Sequence, residues 1–228
     1  MLAGDDWLPY VDKNAEDYGF ACKIITSAFA KVGINVDYHF VDWARALEMV
    51  KNGTVDGSFL WYKTAERAPL FFFSEQPLLK ISVVFFHRSD FEFKWNTLDD
   101  LSGYKIGAPI GALISPEFSA LEAQGKLNVI RIKSDINLFK MLYKERIDLF
   151  PHDFFVGYAE LNTHFSPKYV GIIKNDPKPI LEMPAYLLLS MKKPKNKALI
   201  TLFDKGLSML KRSGEYDKLF DEFILKSH

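Results

Sequence analysis

Two stretches of the chain carry the same hydrophobic pattern. LEMVKNGTVDG (Leu47 to Gly57) and FKMLYKERIDL (Phe139 to Leu149) each show apolar residues at helical spacing, a basic or glycine turn, and a β-branched residue with an aspartate opening a strand. Leu47, Val50, Val55 and Asp56 align without a gap on Phe139, Leu142, Ile147 and Asp148. A helical period giving way to a short buried strand predicts an αβ unit. Two such units predict two similar lobes, each with strand ends able to carry a site.

The rest of the pattern extends this rhythm. Phe20, Ile24, Ala28, Phe29 and Val32 share a helical face, and Gly33 stands where a helix C-terminus prefers glycine. INVDYHF alternates as a strand, Asp42 suits an N-cap for the helix WARALEMVKN, Gly53 ends that helix, and VDGSFLW is the next strand. LLKISVVFFHR (Leu78 to Arg88) reads as a long apolar strand, followed by a short helix and strand in LDDLSGYKIGAPIG. Ser115 with Pro116 opens a further helix. After it come the strand LNVIRI, a helix from Ser134, the strand IDLF, a helix after Asp153 and the strand YVGII. NDPKPILEMP reads as a loop by its prolines and AYLLLSMKK as a strand returning to the first lobe, before two closing helices separated by Gly214. The expected fold class is α/β, with lobe 1 over residues 1–82 and 184–228 and lobe 2 over 83–183, joined by two crossover strands acting as a hinge.

Composition narrows the function. The 228 residues suffice for two lobes with cores of their own, and 29 basic against 29 acidic residues leave no net charge to attract nucleic acid or an anionic membrane. No run reaches the ~18 apolar residues of a membrane span. The N-terminus has no basic region followed by an apolar one, so a secretory signal is expected to have been removed before GDDWLPY. The single Cys22 has no partner for an internal disulfide. The five histidines show no metal-ligand spacing with cysteine or carboxylates, so neither a metal site nor a cofactor is expected. No P-loop, nucleophile elbow or dinucleotide glycine pattern occurs.

Arg67, in TAERAPLFFFSEQP, follows the first αβ unit and Asp153 the second, so opposite charges are placed to face each other across a cleft suited to a small polar molecule. An arginine just beyond a strand end can offer its planar fork to a carboxylate; the alternative is a solvated side chain paired with Glu66. Trp7, Tyr10, Trp43 and Trp61 are aromatics that either line the cleft or fill the core. His152, beside Asp153, bonds to ligand, carries a proton or has a structural place at a strand end.

Taken in order, Gly19-Phe20, WARALEMVKNGTVDG, TAERAPLFFFSEQP, LDDLSGYKIGAPIG, RIDLFPHD and KRSGEYDKLFDEF resemble the family 3 extracellular solute-binding proteins of bacterial amino-acid ABC transporters over nearly the whole chain. The resemblance implies a type II periplasmic-binding-protein fold. It places Arg67 where the family's arginine takes the ligand α-carboxylate and Asp153 where its aspartate takes the α-ammonium. Trp43, Tyr10 and Trp61 fall at ligand-facing positions. The chain also departs from the family's pattern. FLWYK replaces a hydroxyl-rich stretch before Arg67, and Gly111 is followed by Ala112 and Leu113 where a hydroxyl residue is usual, leaving backbone N–H groups to serve an anion there. The acidic residue usual after Gly-Phe is missing, which puts a standard α-amino acid as ligand in question.

The resemblance implies a monomer, periplasmic or else extracellular and held at the membrane through its transporter, that captures a small ligand by hinge closure and passes it to an ABC permease, with no catalysis, no nucleic acid and no membrane insertion. Three other readings stay open: a dehydratase-like enzyme on the same fold using Asp153, His152 or Glu66, a sensing module of a signalling system, and an adaptor that has lost its ligand.

Overall fold

A computed structural model describes the backbone of residues 1–227 and the side chains of residues 1–225. It is an α/β structure in which the chain divides into two compact units, Met1–Lys80 with Met183–His228, and Ile81–Glu182. The chain passes between them within two ten-residue strands, β5 (Leu79–Arg88) and β10 (Leu181–Ser190).

The first unit is built on β1 (Leu2–Gly4), β2 (Tyr38–Phe40), β3 (Gly57–Tyr62), β4 (Phe71–Phe73) and the second part of β10. β1 runs parallel to both β2 and β3, while β10 runs antiparallel to β3 and β4. The helices are α1 (Phe20–Ala30), α2 (Trp43–Asn52), α7 (Asn196–Arg212) and α8 (Glu215–Ser227). Helix α2 has the expected ends: the Asp42 carboxylate accepts from the Arg45 N–H at 2.9 Å, and Gly53 takes the left-handed conformation, φ 79°. Its apolar stripe, Ala46 and Val50, packs with Ala3, Val55, Phe71 and Leu188. Helices α1 and α7 meet where Gly206 lies against the Ala28 carbonyl; a Cβ at that position would stand 1.9 Å from the oxygen. Phe29 and Phe203 fill the same contact at 5.0 Å.

In the second unit β6 (Lys105–Pro109) pairs in parallel with β7 (Asn128–Ile132), and Ile106 bridges in parallel to Leu149. β8 (Phe150–Asp153) and β9 (Ile173–Asn175) run antiparallel to β5. A 3-10 turn over Leu98–Gly103, α3 (Pro116–Ala123), α4 (Asp135–Tyr143), α5 (Phe154–His164) and α6 (Pro167–Val170) complete it. Two clusters form its core, one around Phe85, Leu101, Ile106 and Phe118, the other around Phe86, Leu138, Phe139 and Phe150. Ser115, Ser134 and Asp153 cap α3, α4 and α5, accepting from Phe118, Asn137 and Val156 N–H groups.

Four expectations differ from the structure. The strand expected at IDLF begins only at Phe150 and continues through His152 and Asp153, because its partner β5 pairs Val83 with Asp153 and Phe86 with Phe150. YVGII is not a strand throughout: Ser166-Pro167 opens the helical turn α6, and only from Ile173 does the backbone pair with β5. The strand at AYLLLSMKK starts earlier, at Leu181, so β10 runs through Pro184. INVDYHF contributes just three paired residues, Tyr38–Phe40.

Candidate ligand-binding site

In the first unit the residues singled out by sequence converge around one irregularity in β3. Ser58 pairs with Leu188 and Trp61 with Tyr186, so Phe59 and Leu60 oppose the single residue Leu187 in a bulge. Leu60 is left-handed, φ 61°, a backbone state that a branched side chain adopts at a cost of about 1–3 kcal/mol. Such bulges re-aim side chains. Here the indole of Trp61 turns back across the bulge to donate to Ser58 Oγ at 2.7 Å. Its ring stands edge-on to Trp43 at 5.7 Å, and Trp43 stands edge-on to Trp7 at 6.4 Å. All three tryptophans are part-exposed.

Arg67 closes this group. Residues 64–70 form a turn in which the Arg67 N–H bonds to Thr64, and the guanidinium lies 4.8 Å over the Trp61 ring. Nη1 donates to the Tyr62 carbonyl at 3.3 Å. Among the described residues Nε and Nη2 have no acceptor. The cation–π contact and the carbonyl orient a fork whose remaining donors are available to an anion. Glu66, the alternative partner considered from sequence, makes no ion pair with Arg67 among the described residues. Tyr10 is placed differently from the tryptophans. Its ring is 1 % exposed, packed beside Trp7 at 5.0 Å and stacked on Phe223 of α8 at 5.5 Å.

In the second unit the candidates lie at two places. Asp153, 6 % exposed, ends β8 and caps α5, accepting from the Val156 N–H at 2.9 Å. A carboxylate so placed faces the positive end of a helix. The second place is the turn after β6. Gly111 is left-handed, φ 81°, the Ala112 N–H is spent on the Pro109 carbonyl, and Ile110 and Leu113 are exposed. The Gly111 and Leu113 amides have no partner among the described residues. Arg131 ties the turn down, donating from Nη1 to the Pro109 and Ala112 carbonyls at 2.7 and 3.1 Å.

His152 is part-buried, and its Nε2 lies 3.3 Å from Glu160 Oε2. Burial alone would pull its pKa down. The Glu160 hydrogen bond and the charges of Glu160, Asp135 and Asp153 outweigh that, so the pKa stands above its ordinary value. Burial raises the pKa of Asp135. Sequence reading passed over Glu160 and Asp135, since neither stands at a motif spacing from His152. Leu60 was likewise missed, because nothing in FLWYK announces a left-handed residue.

Two α/β units joined through two strands are the architecture of a two-lobed binding protein. The model of the bacterial extracellular solute-binding proteins, family 3, matches residues 3–226, and the chain belongs to that family. No curated protein matches the chain. Among solved structures it is similar to the second substrate-binding domain of a putative amino acid ABC transporter from Streptococcus pneumoniae, at 18 % identity over 97 % of this chain and 98 % of that one, with a TM-score of 0.74. It is also similar to an ancestral cationic amino acid solute-binding protein, at 21 % identity, 98 % and 94 % coverage and a TM-score of 0.73. A histidine kinase sensor domain similar to periplasmic binding proteins shares the fold at 20 % identity, 97 % and 95 % coverage and a TM-score of 0.71. No described helix is long and apolar enough to cross a membrane.

Proposed function

We propose that this solute-binding protein works in the periplasm as a monomer, capturing a small, polar, amino-acid-like or carboxylate-bearing ligand and delivering it to an ABC permease without bond chemistry. Arg67 carries the reading: its guanidinium is oriented by Trp61 and the Tyr62 carbonyl, with Nε and Nη2 left for a carboxylate. Trp43 and Trp61 supply flat apolar contact for the ligand's body, with Trp7 behind Trp43 and Tyr10 packing Trp7 from within. Asp153 receives an ammonium group where the ligand has one, and the Gly111 and Leu113 amides offer further donors to an anion. The likeness to a substrate-binding domain of a putative amino acid ABC transporter and to an ancestral cationic amino acid solute-binding protein supports the ligand class. The likeness to a kinase sensor domain supports a second reading, in which the same capture feeds a signalling partner.

A thermal-shift screen of amino acids, small carboxylates and amines tests the proposal. A ligand at a hundred times its dissociation constant adds about 2.7 kcal/mol of stability. For a chain of this length that is a rise of about 5 to 10 °C in melting temperature. A flat response across the panel, together with no small molecule in the mass spectrum of the denatured protein, would leave the adaptor reading in its place.

A further inference from the structure

Asp135, His152 and Glu160 come from three different elements of the second unit: the first turn of α4, the penultimate residue of β8 and the second turn of α5. One ligand-capable atom of each lies within 4.8 Å of the other two. We propose that these three side chains form a binding site for a divalent transition-metal ion of the zinc class.

Two geometric features point to a metal rather than a proton at the centre. The Nε2–Oε2 separation of His152 and Glu160 is 3.3 Å, long for a charge-assisted hydrogen bond, which closes to about 2.7–2.9 Å. It matches the edge of a tetrahedron whose metal–ligand bonds are ~2.0–2.1 Å. The second feature is Asp135 Oδ1, which is buried and among the described residues has no hydrogen-bond partner. A buried carboxylate oxygen without a partner is costly, and a structure that keeps one requires a reason. Protonating His152 supplies one hydrogen at Nε2, already directed at Glu160, and leaves Asp135 Oδ1 as it was. A metal ion can take one atom from each of the three side chains at once and balances two carboxylate charges.

The surroundings suit such an ion. The His152 and Glu160 side chains are 14 % and 23 % exposed, and the imidazole is held flat against Phe150, 4.9 Å between centroids, with Phe139 tilted at 6.1 Å. These rings hold the imidazole in place and limit water around it. An imidazole with two carboxylates selects zinc, cobalt or nickel over magnesium and calcium, which prefer oxygen alone. Three protein ligands leave one position of a tetrahedral ion for water or another small donor.

The test uses the full chain, stripped with chelator and titrated with Zn²⁺ and with Co²⁺. One equivalent should bind, raise the melting temperature, and with Co²⁺ give visible absorption of a tetrahedral site that excess Mg²⁺ or Ca²⁺ does not abolish. Asp135→Asn and His152→Ala should each weaken binding about tenfold or more, as loss of one of three ligands requires. Glu160→Gln should do the same, and the other two variants keep the test decisive if it fails to fold. No saturable binding, or binding undiminished in both Asp135→Asn and His152→Ala, overturns the proposal. Failure here leaves the ligand proposal untouched, because Arg67 and the tryptophans are not part of this cluster.

Discussion

Both carboxylate oxygens of Glu122 grip the guanidinium of Arg131, Oε1 from Nε at 2.7 Å and Oε2 from Nη2 at 2.6 Å, in a planar two-point pair. The remaining nitrogen, Nη1, holds the Pro109 and Ala112 carbonyls, so a helix residue fixes the turn after β6 through an arginine on the neighbouring strand. A lysine could not make these contacts together, since a point charge lacks the fork.

Glu122→Gln should therefore loosen residues 109–112 and lower the stability of the second unit by about 1–2 kcal/mol, the pair being about a quarter exposed. Urea unfolding and amide exchange at the Ala112 N–H measure the two effects. The pH dependence has a definite sign. The Arg131 hydrogen bond, partly opposed by burial, holds the folded pKa of Glu122 below its ordinary 4.5. Its contribution is thus fully present above about pH 4.5 and fades as pH falls through the folded value. The gap between wild type and variant should stay constant from neutral pH down to that point and narrow below it.

Arg67→Ala should weaken a carboxylate-bearing ligand by about thirtyfold or more, because the ligand's charge is left without its partner, at about 2–5 kcal/mol. Arg67→Lys should recover part of the loss. Calorimetric titration of the ligand identified by the screen decides it; affinity within threefold in both variants would remove Arg67 from the site. Ligand should also change the fluorescence of Trp61, whose ring lies 4.8 Å beneath the guanidinium.

Gly206→Ala should be among the most damaging single-methyl changes in the first unit. The added Cβ meets a backbone oxygen at 1.9 Å, so α1 and α7 must separate. Overpacking of this kind costs about 1–3 kcal/mol and occasionally more, despite the better helix propensity of alanine. A melting temperature equal to wild type would show that the helices shift apart freely.

Cys22 should resist thiol reagents in the folded protein. Burial pushes its pKa up to about 12, only partly opposed by the Tyr38 hydroxyl, so little thiolate exists at neutral pH. Labelling should follow unfolding, and its rate should rise with urea in step with loss of structure. Rapid labelling in buffer alone would place α1 in frequent local opening.

Where structure depends on neighbours in the chain, the sequence was legible. The α2 helix from Asp42 to Gly53 and the cap Ser115 with the proline after it are local devices: a side-chain oxygen meets an N–H three residues on, or a glycine takes a positive φ. The αβ rhythm followed from the same kind of short-range pattern. Distant partners decided the remainder. β5 sets where β8 begins, and so makes His152 and Asp153 strand residues. Phe223, more than two hundred residues along the chain, stacks on the ring of Tyr10. The bulge that turns Leu60 left-handed exists because β10 offers one residue where β3 offers two. Asp135, His152 and Glu160 meet only once α4, β8 and α5 are packed, since proximity set by packing leaves no fixed spacing in sequence.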